Sequence, residues 1–307
     1  MPATPLPFFF IVNPRAGLGG RTFAAVANQL RELGVPFVGA ATTGPGDARV
    51  LAQLASRGQF RAIVVVGGDG TVNDVVNGLA TSDGGIVEGA VLGVIPTGTA
   101  QDFARSLGIP FNRRAAVERL IGGHETAIDV GRITFRDGHT HLFVNVFGAG
   151  FDAEAAERAQ DLRGAMTSIP AHMVGLATAF AEYQNQEIAI TLEDAEISPA
   201  RLRCVLVIVA NGPSYAGVLR LAPNAIVDDG MLDLVVIGDV DKFEMLMNLG
   251  RVFTGTHLEH AKVEVYRTRA LRLEPTTGEA RVQADGEVVG RLPARVDLLP
   301  RALRVIR

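Results

Sequence analysis

Between Val64 and Gly78 the chain reads VVVGGDGTVNDVVNG: a β-branched apolar run, paired glycines, an acid, a third glycine, then an asparagine-dotted stretch. Glycines at a strand end, lacking Cβ atoms, can take positive φ and let backbone N–H groups approach an anion. A helix expected over Thr71 to Leu79 turns its N-terminus, with unpaired N–H groups and a partial positive charge, to the same spot. Gly67, Gly68, Gly70, Thr71, Val72 and Asn73 are therefore candidate phosphate-binding residues. Asp69 is the informative position. A carboxylate beside phosphate is repulsive unless a cation lies between them, so it implies Mg2+, directly or through water. Other glycine-rich phosphate loops do not fit. The dinucleotide fingerprint G-x-G-x-x-G needs glycine where Asn73 stands, and the Gly-Lys-Ser/Thr of a P-loop occurs nowhere in the chain.

Two more turns of this kind lie in the same half. Asn13-Pro14-Arg15-Ala16-Gly17 ends an apolar run at Phe8 to Val12, and Pro96-Thr97-Gly98-Thr99 ends another at Val91 to Ile95. Thr99 either caps the helix that follows or places its hydroxyl on a nucleotide. Three glycine-bearing turns after parallel strands point to one nucleoside triphosphate site. Without a P-loop lysine, charge neutralisation falls on Mg2+, the helix dipole and Arg15 or Arg21.

The elements that must position these turns alternate. Strands are expected at Phe8 to Val12, Pro36 to Ala41, Ala62 to Val66 and Val91 to Ile95, and helices at Arg21 to Leu33, Gly46 to Ser56, Thr71 to Leu79 and Thr99 to Leu107. This order implies a doubly wound parallel sheet, whose ligands bind at the carboxyl ends of the strands. After about Asp129 the rhythm changes. Strand-like stretches dominate (127–135, 141–147, 188–192, 202–210, 231–237, 263–266, 271–274 and 281–284), with turns at Asp137-Gly138, Asp229-Gly230, Thr277-Gly278 and Asp285-Gly286. That pattern predicts an antiparallel sandwich or barrel. The domains are accordingly set at 1–128 and 129–293, with a short strand at Ala302 to Ile306 in a segment, about 294–307, that could return to either. One apolar helical segment, 162–183, interrupts the strands. It reads as a core-packing helix rather than a lipid-facing wall.

Composition narrows the function classes. A chain of 307 residues that is 48% hydrophobic can bury a sizeable core, and its net charge of −4 gives nucleic acid no electrostatic footing. Cys204, the only cysteine, lies in an apolar run and cannot form an internal disulfide, which suits a reducing cytoplasm. The opening MPATPLPFFFIVNP has no basic n-region and reads as a first strand. No run approaches ~18 apolar residues, so no transmembrane helix is expected. His139 and His141, and His257 and His260, lack a third ligand at metal-site spacing and read as surface or core residues.

GGDGTVND (67–74), GTAQDFAR (98–105), DVG (129–131), FGAGFDA (147–153), LAPNAIVDDGMLDL (221–234) and DGE (285–287), in this order, resemble the diacylglycerol kinase catalytic-domain family, which includes sphingosine and ceramide kinases. GGDGT alone would be shared with NAD kinases and phosphofructokinases; the set is far more specific. The resemblance implies an N-terminal NAD-kinase- or phosphofructokinase-like α/β domain, a C-terminal β-sandwich and an active site in the cleft between them. It implies ATP bound by Asn13 to Gly17, Thr42, Gly67 to Asn73 and Thr99. It implies Mg2+ held by Asp229 with backbone carbonyls near Ile226 and Met231, and a base for the lipid hydroxyl at Asp285, the favoured residue, or Glu287. The implied activity is an ATP- and Mg2+-dependent lipid kinase acting on diacylglycerol or a related lipid, docked peripherally at the inner face of the membrane; a homodimer is allowed by resemblance only. Gln101, Asp74, Asn224 and the glycine-poor Ser214 to Val218 depart from the family's usual pattern, the last two where they bear on acceptor identity. An NAD-kinase-like soluble phosphotransferase and a catalytically silent regulator are the competing readings. The later motifs oppose the first, and retention of Asp69, Asp229 and Asp285 opposes the second.

Overall fold

The computed structural model describes residues 5–163, 180–194 and 201–307, except the side chains of 159–163. Its contacts divide the chain into two compact units, Met1–Val130 with Leu299–Arg307, and Gly131–Leu298.

The first unit runs β1 (Phe8–Val12), α1 (Gly19–Glu32), β2 (Phe37–Ala41), α2 (Asp47–Ala55), β3 (Ile63–Gly67), α3 (Asp69–Gly78), β4 (Val91–Pro96), α4 (Asp102–Ser106) and α5 (Arg113–Gly122). Its strands pair in parallel, β2 to β1, β1 to β3 and β3 to β4. Arg304 and Val305, near the end of the long last strand β15 (Ala294–Ile306), pair in parallel with β4 on its other edge. Every residue of β3 and β4 is buried, so both faces of the sheet need cover. Alternation along the strands supplies it. Phe8, Phe10, Val12, Val64 and Val66 pack with Val26 and Leu30 of α1 and Val117 and Leu120 of α5, while α2 and α3 pack against each other. The fold is the expected doubly wound one; α5 is an addition that the sequence reading did not contain.

Strand β5 (Glu125–Phe135) leads into the second unit, followed by β6 (Thr140–Phe143), β7 (Val146–Gly150), α6 (Phe151–Arg163), β8 (Gln186–Leu192), β9 (Arg201–Ala210), β10 (Leu232–Gly238), α7 (Lys242–Thr254), β11 (Val263–Thr268), β12 (Ala270–Pro275), β13 (Arg281–Ala284) and β14 (Glu287–Arg291). The pairings among these strands are antiparallel. One edge of β9 serves β8 with its first half and β7 with its second, and the other edge serves β10. Their inward residues, among them Phe143, Phe147, Ile188, Val207, Leu234, Leu273 and Val282, form one core.

Five features differ from expectation, the first being α6, which starts at Phe151, ahead of the expected helical segment at 162–183. The stretch 141–147 is two strands, broken at Val144-Asn145. Helix α7 interrupts the strands, and β14 completes a hairpin with β13. The last strand is 13 residues long, its start paired with β12 and its end with β4. Most of the apolar segment 162–183 lies outside the described residues. Among the described residues no helix is long and apolar enough to cross a membrane.

Cys204 is fully buried in the core of the second unit, and burial pushes its thiol up to about 12. Only thiolate attacks a disulfide reagent. Labelling of Cys204 is therefore expected to be negligible in buffer and to rise along the urea unfolding curve; fast labelling of the native protein would contradict this packing.

Candidate active site

In the first unit, four loops leave the carboxyl ends of β1 to β4. The ladder runs one residue into the loops after β1, β2 and β4: Asn13 N donates to Val66 O at 2.9 Å, Thr42 N to Val12 O at 2.8 Å and Thr97 N to Gly67 O at 3.0 Å. The loop starts are thus fixed by the sheet itself. A side-chain bond joins two of them, Asn13 Nδ2 donating to Thr71 Oγ1 at 3.0 Å, and Arg15 N folds back on Asn13 Oδ1 at 3.0 Å. Pro14, Arg15 and Gly17 are exposed and Ala16 half-buried, while Val72 and Asn73 turn into α3, the Asn73 side chain held by Asn77 Nδ2 at 3.1 Å.

The glycines work differently from the expectation. Gly67 closes β3 and Gly68 is extended at φ −103°, so neither is left-handed. What they provide is space. A Cβ on Gly98 would lie 2.6 Å from Gly68 Cα, and one on Gly68 3.1 Å from Gly98 Cα. The two loops therefore touch backbone to backbone, which any side chain would prevent.

Helix α3 begins at Asp69, two residues ahead of the expected start, so Gly70 and Thr71 also lie in its first turn. Asp69 Oδ1 accepts from Phe103 N at 3.0 Å, which seats the DFAR segment on the GGDGT loop. Thr99 does not cap α4. The cap position belongs to Gln101, left-handed at φ 58°, whose Nε2 donates to Gly98 O at 2.7 Å; Thr99 is exposed. The reason is tertiary: Gly98 lies against Gly68 of another loop, 97–100 form an irregular turn there, and α4 starts only after it.

In the second unit, Asp285 and Gly286 form the two-residue turn between β13 and β14, both at positive φ (48° and 88°), as a primed hairpin turn requires. The Asp285 carboxylate accepts from Val144 N at 2.9 Å, Asn145 N at 2.8 Å and Val146 N at 3.0 Å. These N–H groups point at a carboxylate instead of a neighbouring strand, which explains the break between β6 and β7. Glu287, half-buried, opens β14 opposite Ala284. Asp229 stands in another turn. Its Oδ1 accepts from Met231 N at 3.1 Å and its Oδ2 from Arg267 Nη2, with Ile226 exposed nearby in sequence.

Two further residues connect to the 285–287 turn, Gln283 directly and Asp152 through it, and the sequence reading gave neither a role. Gln283 Nε2 donates to Asp152 Oδ2 at 2.8 Å, and Gly286 N donates to Gln283 Oε1 at 2.8 Å. Asp152 was quoted only as part of FGAGFDA. Gln283 carries no sequence signal at all.

Residues 7–133 match the family model of the diacylglycerol kinase catalytic domain, and residues 145–307 that of the YegS C-terminal NAD kinase beta sandwich-like domain. The chain belongs to the diacylglycerol kinase family. It is 31% identical to a diacylglycerol kinase of Mycobacterium tuberculosis over 303 residues, 97% of this chain and 94% of that one. It is 30% identical to a diacylglycerol kinase of Bacillus subtilis over 300 residues, 96% of this chain and 94% of that one. A crystal structure of a candidate diacylglycerol kinase from Bacillus anthracis superposes with a TM-score of 0.77 at 25% identity, covering 99% of this chain and 98% of that one. The protein is thus a lipid kinase; of its quoted motifs, GGDGTVND and GTAQDFAR lie at strand ends and the helices that follow, and DGE lies at a hairpin turn.

Asp285→Asn puts an amide donor against the backbone N–H groups that the carboxylate accepts. The substitution is expected to cost about 1–3 kcal/mol of stability in urea denaturation; a change below about 0.5 kcal/mol, typical of an exposed corner, would contradict the role given to these bonds.

Proposed function

We propose that this lipid kinase transfers the γ-phosphate of ATP to the hydroxyl of diacylglycerol or a closely related lipid. The observation that carries the reading is the set of glycine-bearing loops on adjacent strand ends, with Asp69 among them, in a chain that matches diacylglycerol kinases over almost its whole length. The close contact of the Gly68 and Gly98 loops, which a Cβ would prevent, supports a backbone-lined triphosphate site. Asn13 to Gly17, Thr42, Gly67 to Asn73 and Thr99 are the proposed ATP-binding residues.

Asp229 with the carbonyls of Ile226 and Met231 is the proposed Mg2+ site, an all-oxygen set suited to a hard cation, with Arg267 as the present counter-cation on Asp229. Mg2+, when bound, would neutralise charge on the phosphates. Of the two acids in the 285–287 turn, we assign the base to Glu287. Asp285 already accepts from the Val144–Val146 backbone, so its part is to shape the turn.

The acceptor lies in a bilayer, and α7 offers a face for reaching it. Met245 and Val252 pack inward, whereas Phe243 (73% exposed), Leu246 (59%), Met247 (68%) and Phe253 (47%) form an apolar stripe facing out. A helix that is apolar on the side it leaves open fits the acyl–headgroup boundary of a membrane.

Two measurements test these assignments. In a panel of diacylglycerol, phosphatidylglycerol, sphingoid base and ceramide with ATP and Mg2+, mass detection should find phosphorylated diacylglycerol, and Glu287→Gln should lower kcat by about 10²–10⁴ with little change in the KM for ATP. No phosphorylated lipid from the wild-type protein would reject the reading. In co-sedimentation with phospholipid vesicles, Leu246→Glu/Met247→Glu should weaken binding by at least roughly tenfold; unchanged sedimentation would reject α7 as the membrane face.

A further inference from the structure

We propose that Asp152 is a positioning residue of the kinase: through the Gln283 side-chain amide its carboxylate holds the Gly286 N–H, and with it the Asp285–Glu287 turn, in a single conformation. The inference rests on the reading of that turn as the site of the base.

The geometry forms one chain of hydrogen bonds. Ala153 N donates to Asp152 Oδ1 at 2.8 Å, Gln283 Nε2 to Asp152 Oδ2 at 2.8 Å, and Gly286 N to Gln283 Oε1 at 2.8 Å. Asp152 is 6% exposed and Gln283 wholly buried, so water does not offer substitute partners.

The direction of each bond is set by charge. Both oxygens of Asp152 accept, which suits the ionised form. That form orients the Gln283 amide, NH2 towards Asp152 and C=O towards Gly286. A donor at 152 would turn the amide round and set its NH2 against the Gly286 N–H. The state of residue 152 is therefore read at the turn, two hydrogen bonds away.

The surroundings are arranged for this chain. Gln283 pairs with Gly148 across β13 and β7. A Cβ at Gly148 would lie 1.7 Å from Asp152 Oδ2 and 2.6 Å from Gln283 Nε2, so FGAGFDA supplies both the acid and the gap it occupies. Burial pushes the Asp152 carboxyl up to about 7, against the opposing hydrogen bond from Gln283. An ionised carboxylate in such a place costs stability, and a core selected for packing alone would favour an apolar residue there. What it secures is the turn. Asp285 holds one side of it through the Val144–Val146 backbone, and Asp152 with Gln283 holds the other at Gly286, so Glu287 leaves the turn in a fixed direction.

A reciprocal exchange tests this. In Asp152→Asn/Gln283→Glu, the amide introduced at position 152 keeps an oxygen for Ala153 N. Its NH2 donates to the carboxylate introduced at position 283, whose second oxygen accepts from Gly286 N. Four full-length proteins would be compared: wild type, Asp152→Asn, the double variant and Glu287→Gln. The readouts are hydrogen exchange at the Gly286 amide and turnover of diacylglycerol in phosphatidylglycerol vesicles with Mg2+ and ATP. Asp152→Asn should exchange Gly286 roughly tenfold faster and lose roughly tenfold in kcat with the KM for ATP unchanged, the scale of loss expected of a misplaced catalytic group. The double variant should regain most of both, which loss of a merely structural residue would not predict. Should the double variant not fold, Gly148→Ala, which displaces the carboxylate, should reproduce the losses of Asp152→Asn. Unchanged Gly286 exchange in Asp152→Asn, or no recovery in a folded double variant, would overturn the proposal. Near-wild-type turnover in Glu287→Gln would instead reject Glu287 as the base, while Gly286 exchange would still decide the relay.

Discussion

A carboxylate satisfied by backbone amides organises the second unit. Asp285 lies at positive φ in a two-residue turn and takes the N–H groups of Val144, Asn145 and Val146, which would otherwise be unpaired inside the protein. Those bonds stop β6, start β7 and tie the β13–β14 hairpin to a strand more than a hundred residues earlier in the chain. The residues that follow inherit the arrangement: β7 runs straight into α6, whose second residue, Asp152, accepts from Gln283, which in turn accepts from Gly286 N. A polar network of this kind is costly if partly satisfied and rigid when complete.

The first unit depends on a constraint of a different kind. A parallel sheet buried on both faces leaves polar groups accessible chiefly at its ends, and its carboxyl ends carry every phosphate-type loop. Ladder bonds from Asn13, Thr42 and Thr97 extend the sheet's rigidity into those loops, and the contact of Gly68 with Gly98 locks two of them together. Backbone N–H groups can present a fixed array to an anion only when the strands beneath them cannot move. A rigid array of this kind is what a phosphate site without a P-loop lysine requires.

The βαβ rhythm, the change to antiparallel strands near residue 130, the Asp285-Gly286 hairpin and the core position of Cys204 could all be read from the sequence. Each rests on local rules: side-chain periodicity, turn chemistry and the burial of long apolar runs. The motif set likewise identified a lipid kinase, since short segments of defined order carry that information. Less visible were α5 and α7. The first has only a weak apolar stripe, and the second turns its apolar stripe outward, so neither matches the pattern of a helix packed on a core.

What the sequence could not determine was which atoms meet. Gly68 was expected to serve through positive φ, yet it serves because Gly98, thirty residues away, comes against it. Thr99 carries the composition of a cap, but that contact shifts the start of α4 to Asp102. Asp285 was the favoured base by resemblance, with Glu287 as the other choice; the Val144–Val146 amides engage Asp285 in holding the turn. Asp152 and Gln283 are ordinary residues until two strands and a helix bring them together. The sequence by itself determined most of the elements, the change in their order and the class of chemistry, because propensity, periodicity and motifs act over a few residues. Only the tertiary structure decided the partners of each polar group, because a buried hydrogen bond forms between groups that the fold, rather than the chain, makes neighbours.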